Sequence, residues 1–306
     1  MIRSLRANAE RFLADLERIQ RRGEKAEREV SSGLRVATGS DAPDEIGSIL
    51  QLRADIQRQE QIHTNLVRVQ SEVNSAEKTV QLAVATIERA IVLASQGAGT
   101  TVTAGQRTNL AVEVRGLHEQ MVGLSRSTVA GRFIFSGDLD QQPAYALNTA
   151  NANGVDRLIT PAATRRVEEA NGITFLANRT AQEIFDHRDA LDAMTTNNAF
   201  WGLNSLRVAL EANDQPGVET ALNNLRVVHN HLNTQLAFYG GTQTRLAGAV
   251  QQIDKNNIQL KGDLAARQEA DVVAASLALN ESQTQLEAAM SARARLPRRS
   301  LFEYLG

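Results

Sequence analysis

The chain has 306 residues, a formal net charge of −2 and no cysteine. The missing cysteine excludes disulfides, thiol catalysis and zinc–thiolate sites, and the balanced charge gives no reason to expect nucleic acid as a partner. Hydrophobic residues make up 42% of the chain and aromatic residues only 4%, which suits helical bundles. No apolar run is long enough for a membrane span. Polar residues interrupt the N-terminal stretch where a signal peptide would have its apolar core.

The first predicted helix runs from about Ser4 to Val30. Ser31-Ser32-Gly33 then reads as a helix stop, followed by a loop up to Pro43. Apolar and small residues step by four and three along one face of this helix: Leu5, Ala9, Phe12, Leu16, Ile19, Gly23, Ala26 and Val30. That spacing is a coiled-coil heptad seam, so the helix needs a partner helix.

Two further helices are predicted in the first half of the chain. The second is long, from about Asp44 to Ser95, with Ser40 or Asp41 available as its cap. The third runs from about Ala104 to Ala130.

The helical period disappears after Gly131, and short strands are expected in its place. Asn171-Gly172 is a hairpin turn signal. The expected strands cover 131–137, 157–160, 165–167 and 173–176. We interpret residues 137–180 as a small β-rich insertion on a helical protein.

Helical pattern returns at about Ala181, with one amphipathic piece over Phe200–Leu210 and another after Pro216. Tyr239-Gly240-Gly241 is expected to end that second piece. The last helix is expected to start at about Gln243 and to meet no proline until Pro297, which gives roughly 75 Å of helix. Its apolar stripe consists of Leu246, Val250, Ile253, Leu260, Leu264, Val272, Ala275, Leu279, Leu286 and Ala289. The phase of this stripe shifts near Asp271, at either a stutter or a domain boundary.

No enzyme signature stands out. The chain has no nucleophile elbow, glycine-rich phosphate loop or HExxH motif. His229 and His231 are two residues apart on a helix, so they face different directions and cannot share a metal ion. We therefore predict no catalytic residue, no cofactor and no metal site.

Several stretches resemble the bacterial flagellin superfamily. Residues 31–36 (Ser-Ser-Gly-Leu-Arg-Val) and 40–43 (Ser-Asp-Ala-Pro) are similar to the segment that follows the family's first helix. Leu34 replaces a usual lysine there, and Ala42 a usual aspartate. Residues 131–137 (Gly-Arg-Phe-Ile-Phe-Ser-Gly) and the ending 300–305 (Ser-Leu-Phe-Glu-Tyr-Leu) resemble the hook-associated branch of the superfamily.

This resemblance implies a mainly α fold with long terminal coiled-coil helices, a flagellin-like helical rod domain and a small β-rich insertion. The ranges 1–43 and 261–306 would form the terminal coiled-coil assembly domain. The ranges 44–136 and 181–260 would form the helical rod domain, and 137–180 the outer insertion.

The resemblance also implies a function. The chain would be a structural subunit of the bacterial flagellum, connecting hook to filament through its terminal helices. Its partners would be other copies of itself, a hook-associated adaptor protein, flagellin and an export chaperone. It would be extracellular, exported without a cleaved signal peptide. The assembly interface would contain Leu5, Phe12, Leu16, Ile19, Val30, Leu264, Val272, Leu279, Leu286, Leu301, Phe302 and Leu305.

Two other functions stay open at this point. The same architecture suits a filament flagellin, which polymerises without limit. Composition alone also suits an intracellular coiled-coil adaptor unrelated to flagella.

Overall fold

The computed structural model describes residues 2–169 and 172–295. Most of these residues are helical. The helices of the described part are Ile2–Ser32 (α1), Pro43–Gly97 (α2), Ala104–Ser125 (α3), Ala181–Ile184 (α4), Ala199–Glu211 (α5), Gln215–Gln268 (α6) and Val272–Arg295 (α7).

The strands are short and pair only with their neighbours in sequence. Each pair is antiparallel: Thr128–Val129 (β1) with Arg132–Phe133 (β2), Tyr145–Leu147 (β3) with Val155–Arg157 (β4), and Arg166–Glu168 (β5) with Thr174–Leu176 (β6). The predicted fold class, mainly helical with a small β-rich insertion, is confirmed.

The chain divides into two compact units. The described residues up to 58 and from 256 onward form one, which we call the terminal unit. Residues 59–255 form the other, the central unit. The chain therefore enters and leaves the central unit once. The finer three-part division expected from the sequence stays a prediction.

The core of the central unit is continuous and largely aliphatic. Buried apolar side chains from α2, α3, α5 and α6 meet there with those of the strands. An aromatic cluster lies within it: the ring centres of Phe135 and Phe185 are 5.5 Å apart, and those of Tyr145 and Phe200 are 5.1 Å apart. This cluster joins the β insertion to the helices, because its members come from both.

Helix α6 continues through Gly240 and Gly241, so the expected break at Tyr239-Gly240-Gly241 was wrong. Each helical glycine costs about 1 kcal/mol relative to alanine. Packing outweighs that cost here. Tyr239 is completely buried, and its hydroxyl donates to Asn178 Oδ1 at 2.5 Å. A helix anchored in this way does not end where local propensity alone would end it.

The expected unbroken final helix was also wrong, because α6 ends at Gln268 and α7 begins at Val272. Residues 33–36 cause the break by pairing with the backbone there. Arg35 N donates to Gln268 O at 2.8 Å, and Ala270 N donates to Gly33 O at 2.9 Å. Asp271 then caps α7, accepting from the amides of Val273 and Ala274 at 3.0 Å.

Two smaller boundaries differ as well. Helix α3 ends at Ser125 rather than near Ala130, because the tight β1–β2 turn follows. That turn holds Ala130 at φ 51° and Gly131 at φ 76°, which no right-handed helix allows. The strand Tyr145–Leu147 was not predicted.

Candidate assembly surface

The two terminal helices α1 and α7 pack against each other in antiparallel directions. The guanidinium of Arg293 lies over the ring of Phe12 at 5.2 Å. Further along, Gly23 approaches Ser282 so closely that a β-carbon on Gly23 would lie 2.8 Å from Ser282 Oγ. This register puts Ile19 level with Leu286.

The paired helices leave most of their apolar stripe half-buried. Ala26 on α1 and Ala275 on α7 are 3% and 4% exposed, and they are the only fully buried apolar residues among the described side chains of these two helices. Phe12, Leu16, Ile19 and Val30 on α1 are only partly covered, as are Leu279 and Leu286 on α7. Two helices cover one side of a heptad seam, so further helices are needed to cover the rest.

The remaining predicted interface residues have different surroundings. Leu264 on α6 is partly buried, whereas Val272 at the start of α7 is 45% exposed. Leu5 lies in α1, but its side chain is outside the described part. Leu301, Phe302 and Leu305 also lie outside the described residues. The structure thus brings Phe12, Leu16 and Ile19 into one helix pair with Leu279 and Leu286.

Sequence reasoning missed a pair of exposed apolar residues on α7. Val273 is 82% exposed and Leu277 61%. Neither lies on the predicted stripe. Val273 and Leu277 are four apart, so their spacing was a readable signal for a second face. Large exposed apolar patches mark interaction surfaces.

The loop between α1 and α2 is fixed to the end of α6. Gly33 ends α1 in a left-handed conformation, φ 69°, that suits glycine. Arg35 donates to Arg267 O at 2.6 Å and to Glu45 at 2.9 Å. Asp41 closes the loop, and the amide and hydroxyl of Thr38 that donate to it lower the pKa of its carboxyl. The segment 31–43, which resembles the flagellin superfamily, is therefore a turn held by hydrogen bonds.

The described residues offer little else with a recognisable function. None of their helices combines the length and apolarity that crossing a membrane requires. Within 2–169 and 172–295, no three His, Asp or Glu side chains gather as metal ligands would. His229 contacts Glu88 and His231 contacts the carbonyl of Glu183, so the two histidines do face different partners.

The N-terminal half of the chain matches a known family model. Residues 4–139 match the model of the bacterial flagellin N-terminal helical region. This match confirms the resemblance to the flagellin superfamily. No curated protein matches the chain in sequence.

Solved structures of hook-associated proteins share the fold. A flagellar hook-associated protein from Vibrio parahaemolyticus is 19% identical, with a TM-score of 0.64 over 75% of this chain and 100% of its own. Bacillus cereus FlgL is 16% identical, with a TM-score of 0.55 over 72% of this chain and 100% of its own. Xanthomonas campestris FlgL is also 16% identical, with a TM-score of 0.58 over 71% and 99% of the two chains.

Proposed function

We propose that this chain, which has a flagellin N-terminal helical region and the fold of hook-associated proteins, is a structural subunit of the bacterial flagellum at the junction between hook and filament. A solved structure with the same fold is described as the flagellar junction protein FlgL from Legionella pneumophila.

The observation that carries the proposal is the half-buried stripe of the α1–α7 pair. Phe12, Leu16 and Ile19 keep apolar surface that their own chain does not cover. Complete burial of one such side chain stabilises by about 1.5–3 kcal/mol relative to full exposure. Covering the exposed remainder of several such side chains in each subunit therefore favours assembly and needs no nucleotide hydrolysis.

The proposed partners follow from this surface. Neighbouring copies place their own α1–α7 pairs against the stripe, in a heterologous arrangement that closes a ring or helix. A hook-associated adaptor contacts this layer on the hook side, and flagellin contacts it on the filament side. The proposed location is the extracellular flagellum, reached through the flagellar export apparatus with the help of a chaperone.

Quantitative mass spectrometry of sheared flagella tests the function. We expect this chain in trace amounts relative to the major filament protein, enriched in fragments that retain the hook. A chain as abundant as the major filament protein would be a filament flagellin, which the family-model match also suits. A chain found in the cytosol and absent from flagella would contradict both flagellar functions and favour a coiled-coil adaptor.

A substitution on α1 distinguishes assembly into the flagellum from export alone. Leu16→Asp on α1 puts a charge on the half-buried stripe, so we expect it to be exported but not retained at the flagellum. The matched control is Leu13→Asp, on the same helix but off the stripe and 58% exposed. Equal retention of both variants would contradict the role of the stripe.

A further inference from the structure

A small cavity in the central unit is lined by several charged side chains. It has a volume of about 20 Å³, and residues of β2, residues just before β5 and one residue of α2 contribute to its wall. This volume accommodates a single water-sized particle. Its charged lining consists of three arginines and two carboxylates: Arg132, Arg165, Arg179, Glu72 and Asp140. We call it the Arg179 cavity.

The first two arginines of this lining pair with both carboxylates. Arg132 Nη1 donates to Asp140 Oδ2 at 3.0 Å, and Arg165 Nη2 lies 3.7 Å from the same oxygen. Arg165 Nη1 donates to both carboxylate oxygens of Glu72. The remaining oxygen of Asp140 accepts from Gln141 Nε2 at 2.9 Å. Two positive charges are therefore matched by two negative charges, and the third arginine is left as a surplus positive charge.

Arg179, the third arginine, has a buried donor that is unpaired. Its Nε is shielded from solvent and has no hydrogen-bond partner among the described residues. The guanidinium carbon lies 4.5 Å from the centre of the Phe238 ring, and this contact holds the group in place. Nη1 is 3.4 Å from Glu183, but both side chains are partly exposed, so this ion pair offsets little of the charge. An acceptor beside Nε would remove the free-energy cost of the unpaired donor.

The acceptor that this wall favours is an anion of one atom. A cation is disfavoured, because guanidinium groups outnumber carboxylates in the lining. A water molecule fits and can accept from Nε, but it leaves the surplus positive charge unbalanced. Phosphate, sulfate and carboxylate ions contain several heavy atoms and are too large for the volume of one water molecule. Chloride satisfies the volume, the hydrogen bond and the charge together.

We propose that the Arg179 cavity binds one chloride ion, with Arg179 Nε as a donor. Thr164 also lines the cavity, and a threonine hydroxyl can donate to the same ion. The lining residues come from both the β-rich insertion and α2, so the bound ion strengthens the attachment of the insertion to the helices. The site lies in the central unit and does not depend on the proposed function of the α1–α7 surface.

Chlorine NMR of the full chain tests this binding directly, because exchange with a bound site broadens the signal of free chloride. We expect the native chain to broaden this signal several-fold more than Arg179→Met, which removes both the donor and the charge. Added bromide should reverse the broadening by competition. Arg166→Met is the matched control and should behave as the native chain does, because Arg166 is exposed on the neighbouring strand β5 and is not part of the cavity lining. Equal broadening by the native chain and Arg179→Met would overturn the proposal.

Urea unfolding of the native chain gives a second readout, which does not depend on how well any variant folds. Sodium chloride is compared with sodium gluconate at equal ionic strength, because gluconate is too large for the cavity. Chloride should raise the urea midpoint of unfolding, and the shift should level off as the site saturates. Equal midpoints in the two salts would overturn the proposal and indicate a water molecule as the occupant. A shift that Arg179→Met retains in full would overturn it as well.

Discussion

The side chain of Asp186 is completely buried. Its two carboxylate oxygens accept hydrogen bonds from residues in separate parts of the chain. Oδ2 accepts from Tyr145 Oη at 3.0 Å and from Arg188 Nε at 2.8 Å. Oδ1 accepts from Asn153 Nδ2 at 3.2 Å and Asn198 Nδ2 at 2.6 Å. The carboxylate also helps to raise the pKa of the Tyr145 hydroxyl, although burial is the larger cause, so that hydroxyl keeps its proton and its bond.

Replacing Asp186 is expected to be costly. Asp186→Ala leaves Arg188 without its buried partner, a change that typically costs about 3–5 kcal/mol. Asp186→Asn keeps the shape and should cost less. The measurement is the free energy of unfolding in urea, with Asp15→Ala in an exposed ion pair as the control. A loss below about 1 kcal/mol for Asp186→Ala would show that this network does not hold the insertion.

His118 makes the stability of the central unit depend on pH. Burial lowers the pKa of its imidazole, and only its bond to the carbonyl of Asn153 and the charge of Glu119 oppose this. The pKa of His231 is lowered as well, again mainly by burial. A histidine with a lowered pKa in the folded state binds protons more readily when unfolded. The stabilising effect is therefore complete above the unfolded pKa, about 6.5, and is lost as the pH falls below it.

We expect the free energy of unfolding to fall as the pH drops from 7 to 5, by up to about 1.4 kcal/mol per pH unit for each such histidine. His118→Gln should flatten this dependence, and urea unfolding at several pH values measures it. Asn223→Gln, at an exposed position of α6 without a titratable side chain, is the control and should leave the slope unchanged. If the free energy of unfolding of His118→Gln depends on pH as steeply as that of the native chain, His118 is not the source of the pH dependence.

At the scale of elements, the contact between Gly23 and Ser282 sets how closely α1 and α7 approach. Gly23→Leu forces the helices apart, and overpacking of this kind costs about 1–3 kcal/mol. Because leucine is the better helix former, any loss must come from packing and not from helix propensity. Thermal unfolding followed by circular dichroism should show an earlier loss of part of the helical signal.

Gly262→Leu is the matched control for this variant. It also lies in a helix of the terminal unit, but a β-carbon there would meet no atom within 4 Å. We expect it to raise or preserve helix stability. Equal effects of the two substitutions would mean that the close approach at Gly23 is unimportant.

Much of the element structure was predictable because it depends on local pattern. The heptad from Phe12 to Val30 identified α1, and Pro43 marked the start of α2. The shift of phase near Asp271 marked a change in the last helix but did not show that the helix breaks there, because Leu34 pairs with Glu269 from more than 200 residues away in the chain. The strand at Tyr145 was missed since three residues carry no readable period.

The candidate site was predictable to a similar degree. The stripe residues Leu279 and Leu286 are partly buried on α7, which packs on α1. Their place in an assembly interface stays a prediction. The exposed Val273 and Leu277 were missed, because a single-stripe pattern has no place for a second face.

At the scale of the whole molecule, apolar burial is unequal between the two units. Buried apolar residues of the terminal unit are few among the described residues: Ala26, Val36, Ile49, Ile56 and Ala275. The central unit has a long, continuous core. Regions with few buried contacts open at lower free energy.

We therefore expect backbone amides of α1 and α7 to exchange hydrogen faster than those of α3 and α5 in the unassembled chain. The difference should exceed about tenfold in protection, which corresponds to about 1.4 kcal/mol. Hydrogen exchange followed by mass spectrometry measures it, and the assembled protein is the control, in which the difference should shrink. Equal protection of both units before assembly would contradict a role for neighbouring copies in ordering the ends.

The placement of the terminal unit at both ends of the chain also has a consequence during synthesis. Helix α1 ends at Ser32, and α7, the helix that packs on it, begins at Val272. A ribosome adding roughly 5–20 residues per second needs on the order of 10–50 s to cover that interval. The whole central unit emerges and can fold in that time. A newly made chain thus exposes the α1 stripe to the cytoplasm for tens of seconds before α7 exists.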